Sequence, residues 1–206
     1  MKDMSNQLSR LVVKRKTGQE PFHIDGRPLE HQLSLLDFWQ WACSDLVENT
    51  FRGALAEFYV ASALGCLDCL RDSLSCHDLI TKDEVTIQVK SAAYLQSWYQ
   101  KTYSAIRFDI EPKMAFDANT GVSEKVAKRH STLYVFCLNN HKDKTTLDPL
   151  NLDQWIFYVM PTKLLEEKVP ALKQLSLDML LKLGPSESSY QSLKKTIEGC
   201  AGIKLS

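Results

Sequence analysis

Asp78, Gln88 and Lys90 stand at a spacing that could do chemistry, and Glu57 lies upstream of them. Val85, Ile87 and Val89 alternate with Thr86, Gln88 and Lys90, the period of a strand with one buried face. Gln88 and Lys90 therefore share a face. A lysine there, opposite an Asp on the neighbouring strand, calls for a charged partner between them, and a divalent cation with a phosphate would be one. For Asp78 to lie opposite Gln88 in an antiparallel pair, Ile80 must pair with Thr86, which needs an odd-numbered connection around Lys82-Asp83-Glu84 or a bulge. Glu57 is the only carboxylate of the segment Phe51–Leu64 and is set among apolar and small neighbours, so it is expected to reach the same site.

The rest of the chain must supply the elements that hold these residues. The spacing predicts a helix over Phe51–Leu64, capped by Thr50 and stopped at Gly65, with small residues that let it lie close to a sheet. Leu133–Leu138 and Trp155–Met160 are short apolar runs, read as buried strands of one sheet, and Ile106–Ile110 alternates like another strand. Helices are expected from Pro161, over Leu172–Leu183 and over Ser188–Glu198. An amphipathic helix is predicted between Pro28 and Glu48, with Trp39 and Trp41 packed. Residues 1–28 read as an N-terminal arm, with Leu11-Val12-Val13 as a short edge strand and Lys14-Arg15-Lys16 as a solvated cluster, and residues 29–206 as a single domain. Lys113–His130, with Lys125, Lys128, Arg129 and the turn marker Asn119-Thr120-Gly121, reads as a mobile, phosphate-facing loop.

Lys plus Arg equals Asp plus Glu at 25 each, so there is no overall basic field and any nucleic acid must be held by a local patch. No run approaches the roughly 20 apolar residues that span a bilayer. Met1–Gln7 lacks the apolar core of a signal peptide, and a cytoplasmic location with no membrane partner is expected. The six cysteines should then be reduced. Cys66-x-x-Cys69 followed by Cys76-His77 has zinc-like spacing, but is read as unligated thiols because a fourth ligand is not obvious.

A helix Glu, a strand Asp and, ten residues on, a Gln-Val-Lys strand resemble the PD-(D/E)xK, or restriction-endonuclease-like, nuclease superfamily over about Phe51 to Trp98. The run Val89–Trp98 is similar to an uncharacterised bacterial and phage branch of it. The resemblance implies an α/β fold, a central mixed sheet flanked by helices, and metal-dependent hydrolysis of phosphodiester bonds in DNA, most readily as an endonuclease. It also implies that Asp78 is the metal-binding Asp, Gln88 the acidic position of the (D/E)xK pair, Lys90 its Lys and Glu57 the helix acid. The chain departs from the pattern in having His77 before Asp78 in place of Pro, and Gln88 in place of Asp or Glu.

Mg²⁺, or Mn²⁺ in its stead, would take a carboxylate oxygen of Asp78, the amide oxygen of Gln88, the carbonyl of Val89 and waters oriented by Glu57. Lys90 would hold the attacking water or offset charge on the phosphoryl oxygens. Ser91, Gln96, Lys101, Lys128 and Arg129 are the expected contacts to DNA, and a homodimer would be needed to cut both strands in concert. The alternative on the same fold is a non-catalytic nucleic-acid-binding or protein-interaction module. A cysteine hydrolase using Cys76 with His77 or His130 is disfavoured, because neighbours on a strand point to opposite faces.

Overall fold

The computed structural model describes residues 8–205, so the first seven residues of the expected arm and Ser206 lie outside the described residues. The chain forms two units that divide between Leu46 and Val47, whereas the sequence reading ended the arm at residue 28.

In the first unit a hairpin of β1 (His23–Ile24) and β2 (Arg27–Pro28) turns through Asp25-Gly26, both with positive φ, as a two-residue hairpin turn favours. Helix α1 (Leu35–Cys43) fills only part of the predicted span and starts where the Ser34 N–H donates to Asp37 Oδ2 at 2.7 Å. Trp39 packs against Gly18, but Trp41 is 85% exposed and does not pack as expected. Leu11, Val12 and Val13 are exposed and form no strand, contrary to the expected edge strand.

The second unit is mixed α/β. Its elements are α2 (Asn49–Leu64), β3 (Leu79–Ile80), β4 (Thr86–Ala93), β5 (Arg107–Asp109), β6 (Phe116–Asp117), β7 (Val122–Ser123), β8 (Leu133–Asn139), β9 (Trp155–Pro161), α3 (Thr162–Lys168), β10 (Gln174–Ser176), α4 (Leu177–Lys182), β11 (Ser186–Ser188) and α5 (Leu193–Ala201). A five-stranded sheet runs in the order β11-β9-β8-β4-β3, with β4 parallel to β8 and every other neighbouring pair antiparallel. All of β8 is buried, as its unbroken apolar run requires of a central strand.

Alternation divides the core in two. Ile87, Val89, Val135, Phe157 and Val159 pack with Ala56, Val60 and Leu64 of α2 and Ile197 of α5. Tyr134, Phe136, Met160 and Ala92 pack on the other face with Phe108 of β5, Leu175 of β10, Leu165 of α3 and Leu180 of α4. Each fully buried aliphatic side chain contributes about 1.5–3 kcal/mol.

Several local expectations are corrected. Glu48, not Thr50, caps α2, its carboxylate accepting from the Thr50 N–H at 2.8 Å and the Phe51 N–H at 3.3 Å. The predicted helix Leu172–Leu183 begins instead as β10, paired antiparallel with β5, and becomes helical only after Ser176 caps α4. Ser186–Ser188 is an edge strand, and a single 3₁₀ turn at Tyr190–Ser192 leads into α5. Residues 113–130 fold into an arm, with β6 and β7 paired and Lys113 bridged to Lys128. Among the described residues no helix is long and apolar enough to cross a membrane.

Candidate active site

The β3–β4 hairpin sets the site. Leu79 pairs with Ile87 and Ile80 with Thr86, the register that brings Asp78 opposite Gln88. The Asp78 N–H donates to the carbonyl of Ile87, the partner of Leu79, at 3.0 Å, a bulge-like contact just beyond the last paired residues. The connection Thr81–Val85 is odd in length, closed by Val85 N–H on Thr81 Oγ1 at 3.1 Å, with Glu84 at φ +61°. As a result Asp78 Oδ2 accepts from Gln88 Nε2 at 2.6 Å and from the Val89 N–H at 2.7 Å.

Lys90 follows on the Gln88 face, where the parallel neighbour places Tyr134 beside Gln88 and Phe136 beside Lys90. These aromatic neighbours remove water from the site. Burial pushes the Asp78 carboxyl above the usual range, against the Val89 N–H, Lys90 and Arg71, which pull it down. Burial likewise pushes the Lys90 ammonium below its usual range, against Asp78. Desolvation thus outweighs pairing for both partners. Burial also pushes the Tyr134 hydroxyl up to about 12.

Glu57 sits on α2 beside Ala56, its side chain only 12% exposed. Both of its oxygens are taken by Arg71, with Nε donating to Oε2 at 2.6 Å and Nη2 to Oε1 at 2.7 Å, a bidentate fork. The sequence reading missed Arg71, since nothing in the spacing ties it to a helix residue before it. It also missed Asp109, the outward residue of β5, which pairs with Lys113 at 3.1 Å and acts on Lys90. Burial raises the Asp109 carboxyl, but the Glu111 N–H and Lys113 bring it below the usual value.

Mg²⁺ keeps several waters and needs only one or two carboxylates. Asp78 Oδ1 takes no hydrogen bond among the described residues and is free to ligate. In an extended strand the N–H and C=O of one residue face the same edge, so the Val89 carbonyl lies on Asp78's side of β4. Gln88 turns its NH₂ to Asp78 Oδ2, so in this arrangement its amide oxygen points away from the carboxylate, and ligation by that oxygen would need the amide turned over. Glu57 would join the set only on leaving Arg71. Among the described residues no three His, Cys, Asp or Glu side chains form a metal cluster. One carboxylate, one peptide carbonyl and a second carboxylate in reserve suit a hydrated hard cation.

Other expected contacts are placed differently. Ser91 is on the Val89 face, away from Lys90. Gln96 is buried, accepting from Arg52 Nη1 at 3.2 Å and donating to Ser104 Oγ at 3.1 Å, so its amide is not available to DNA. Arg129 is buried and spends its guanidinium on the carbonyls of Ile110, Val169, Pro170 and Leu172; it braces the β5–β10 layer and cannot meet a phosphate. Lys128 is exposed and ion-paired with Glu124 at 3.2 Å, and Lys101 is exposed.

Cys76 and His77 lie in a bend rather than on a strand, so they do meet, Sγ to Nδ1 at 3.3 Å. His77 Nε2 has no partner among the described residues, so no third group orients the ring for nucleophile activation. Burial, then Cys69, raises the Cys66 thiol, and Cys69 is exposed.

Comparison of the chain with protein-family models, curated proteins and solved structures finds no match.

Proposed function

We propose that the Val47–Ser206 unit is a metal-dependent nuclease of the PD-(D/E)xK, restriction-endonuclease-like kind that hydrolyses phosphodiester bonds in DNA. The observation that carries this reading is the hairpin register that lays Asp78 on Gln88 and the Val89 N–H, two residues before a half-buried Lys90. Asp78 and the Val89 carbonyl would hold Mg²⁺ or Mn²⁺, with Glu57 as the second acid. When bound, the cation makes a bound water more acidic and offsets phosphate charge.

The chain's own groups do the remaining work. Gln88 fixes the carboxylate of Asp78 with a hydrogen bond while adding no charge, leaving one negative charge fewer than an acid would. Lys90, desolvated beside Phe136, stands ready to hold the attacking water or to neutralise a phosphoryl oxygen. Asp109 with Lys113 balances the charge around the lysine.

The test is cleavage of supercoiled plasmid and single-stranded DNA with Mg²⁺ or Mn²⁺, comparing wild type with Asp78→Ala and Lys90→Ala. Metal-dependent cleavage abolished in both variants supports the proposal. No cleavage by wild type with either metal, with DNA binding unchanged in the variants, replaces it with the non-catalytic module.

A further inference from the structure

β4 and β8 run parallel, so the segments leaving their C-terminal ends, residues 94–106 and 140–154, emerge at one end of the sheet. The first is braced from within. The Gln96 N–H donates to Gln100 Oε1 at 2.7 Å, Gln100 Nε2 donates to the Tyr94 carbonyl and to Ser104 Oγ at 3.1 Å each, and the Ser104 N–H closes onto the Tyr94 carbonyl at 3.0 Å. The second segment is fastened to it. Lys144 Nζ donates to the Trp98 carbonyl at 2.5 Å, Tyr103 Oη to the Lys142 carbonyl at 3.0 Å, and Lys142 Nζ stands 4.4 Å from the Tyr94 ring centroid.

From this fixed turn Trp98, Tyr99 and Tyr103 project with 51%, 83% and 54% of their surface exposed. Ordering a loop costs conformational entropy and holding rings in water forgoes burial, so a turn that does both is shaped for a ligand. Lys101, Lys142 and Lys144 are exposed on the same two segments. Asp143, the acid between the last two, is turned back onto the Thr145 N–H and hydroxyl.

We propose that Trp98, Tyr99 and Tyr103, rimmed by Lys101, Lys142 and Lys144, form a stacking surface for single-stranded DNA. Unpaired bases offer faces to the rings and phosphates to the ammonium groups, whereas a duplex hides its base faces within its own stack. The surface lies at the sheet end toward which Asp78 opens, because β3 runs antiparallel to β4. Lys90 is three residues from the end of β4, on the order of 10 Å of extended chain. What is done to the bound strand rests on the proposed nuclease function; the binding does not.

The experiment is fluorescence anisotropy of a labelled oligothymidine and of a duplex of mixed sequence, in EDTA, with the full-length chain. Wild type binds the single strand at least tenfold more tightly than the duplex. Tyr99→Ala and Trp98→Ala each lose about fivefold to a hundredfold of that affinity, and Tyr99→Phe retains it. Tyr99→Ala alters only a side chain that is mostly in solvent, so it reports even where Trp98→Ala folds poorly. Equal affinity for both DNAs, no measurable binding, or alanine variants that bind like wild type overturns the proposal. A cleavage assay with Mg²⁺ or Mn²⁺, run in parallel on wild type, separates the two readings: selective single-strand binding without any metal-dependent cleavage sinks the nuclease and leaves the surface standing. Cleavage of single strands that Tyr99→Ala and Trp98→Ala leave untouched does the reverse.

Discussion

Asp78 and Lys90 are each desolvated against their charged forms, so the site is held at a cost in stability. Because the folded-state Asp78 pKa is raised above the ordinary 3.8, its contribution is present at low pH and lost as pH rises through the folded value. Asp78→Asn keeps an oxygen for Gln88 and the Val89 N–H. Its melting temperature in EDTA should match wild type near pH 3.5 and exceed it by a growing margin toward neutrality, while cleavage falls at least a hundredfold; a constant or reversed margin refutes the desolvation argument. Arg71 presents the opposite case. Removing it by Arg71→Ala strands a largely enclosed Glu57, with an expected loss of about 1–3 kcal/mol in chemical denaturation. The same change frees both Glu57 oxygens, so Mn²⁺ binding followed by calorimetry should tighten severalfold. Weaker or unchanged Mn²⁺ binding would remove Glu57 from the metal set. Asp78, Gln88 and Lys90 were legible because strand alternation puts residues two apart on one face; Arg71 was not, because its fork with Glu57 depends on where an irregular segment returns to a helix.

At the scale of elements, the connection Thr81–Val85 decides whether the acid meets the amide. Deleting Lys82, which is exposed, should shift β3 by one residue and turn Asp78 to the other face. Cleavage would then drop at least a hundredfold while far-UV circular dichroism stays close to wild type; retained cleavage would mean the register does not govern the site. The strands were readable where one period ran unbroken, as in β4, β8 and β9. Residues 172–183 were not, because Leu175 and Leu180 are both buried, one as the inward residue of a three-residue strand and one on a helix of under two turns. Such short elements owe their type to their neighbours: β10 exists because β5 is there to pair with it. Arg129 misled for a related reason, since charge alone does not tell a phosphate from four backbone carbonyls.

On the scale of the molecule, every buried apolar residue among the described residues comes from Ala56 onward. A chain beginning at Val47 should therefore melt cooperatively, within a few degrees of full length by circular dichroism, and lose that cooperativity only if residues 1–46 supply contacts the core needs. With no net charge, the molecule exerts no long-range pull on a polyanion, and recognition rests on local groups. The pairing of β4 with β8 has one more effect. Thr86 and Thr132 meet across 46 residues of sequence, whereas the hairpin that joins Asp78 to Gln88 closes locally. During synthesis the hairpin leaves the ribosome well before Tyr134 and Phe136. Until β8 docks, the Gln88 and Lys90 face of β4 in a nascent chain lacks its Tyr134 and Phe136 neighbours. The order in which the strands arrive therefore sets when that face of the sheet is covered.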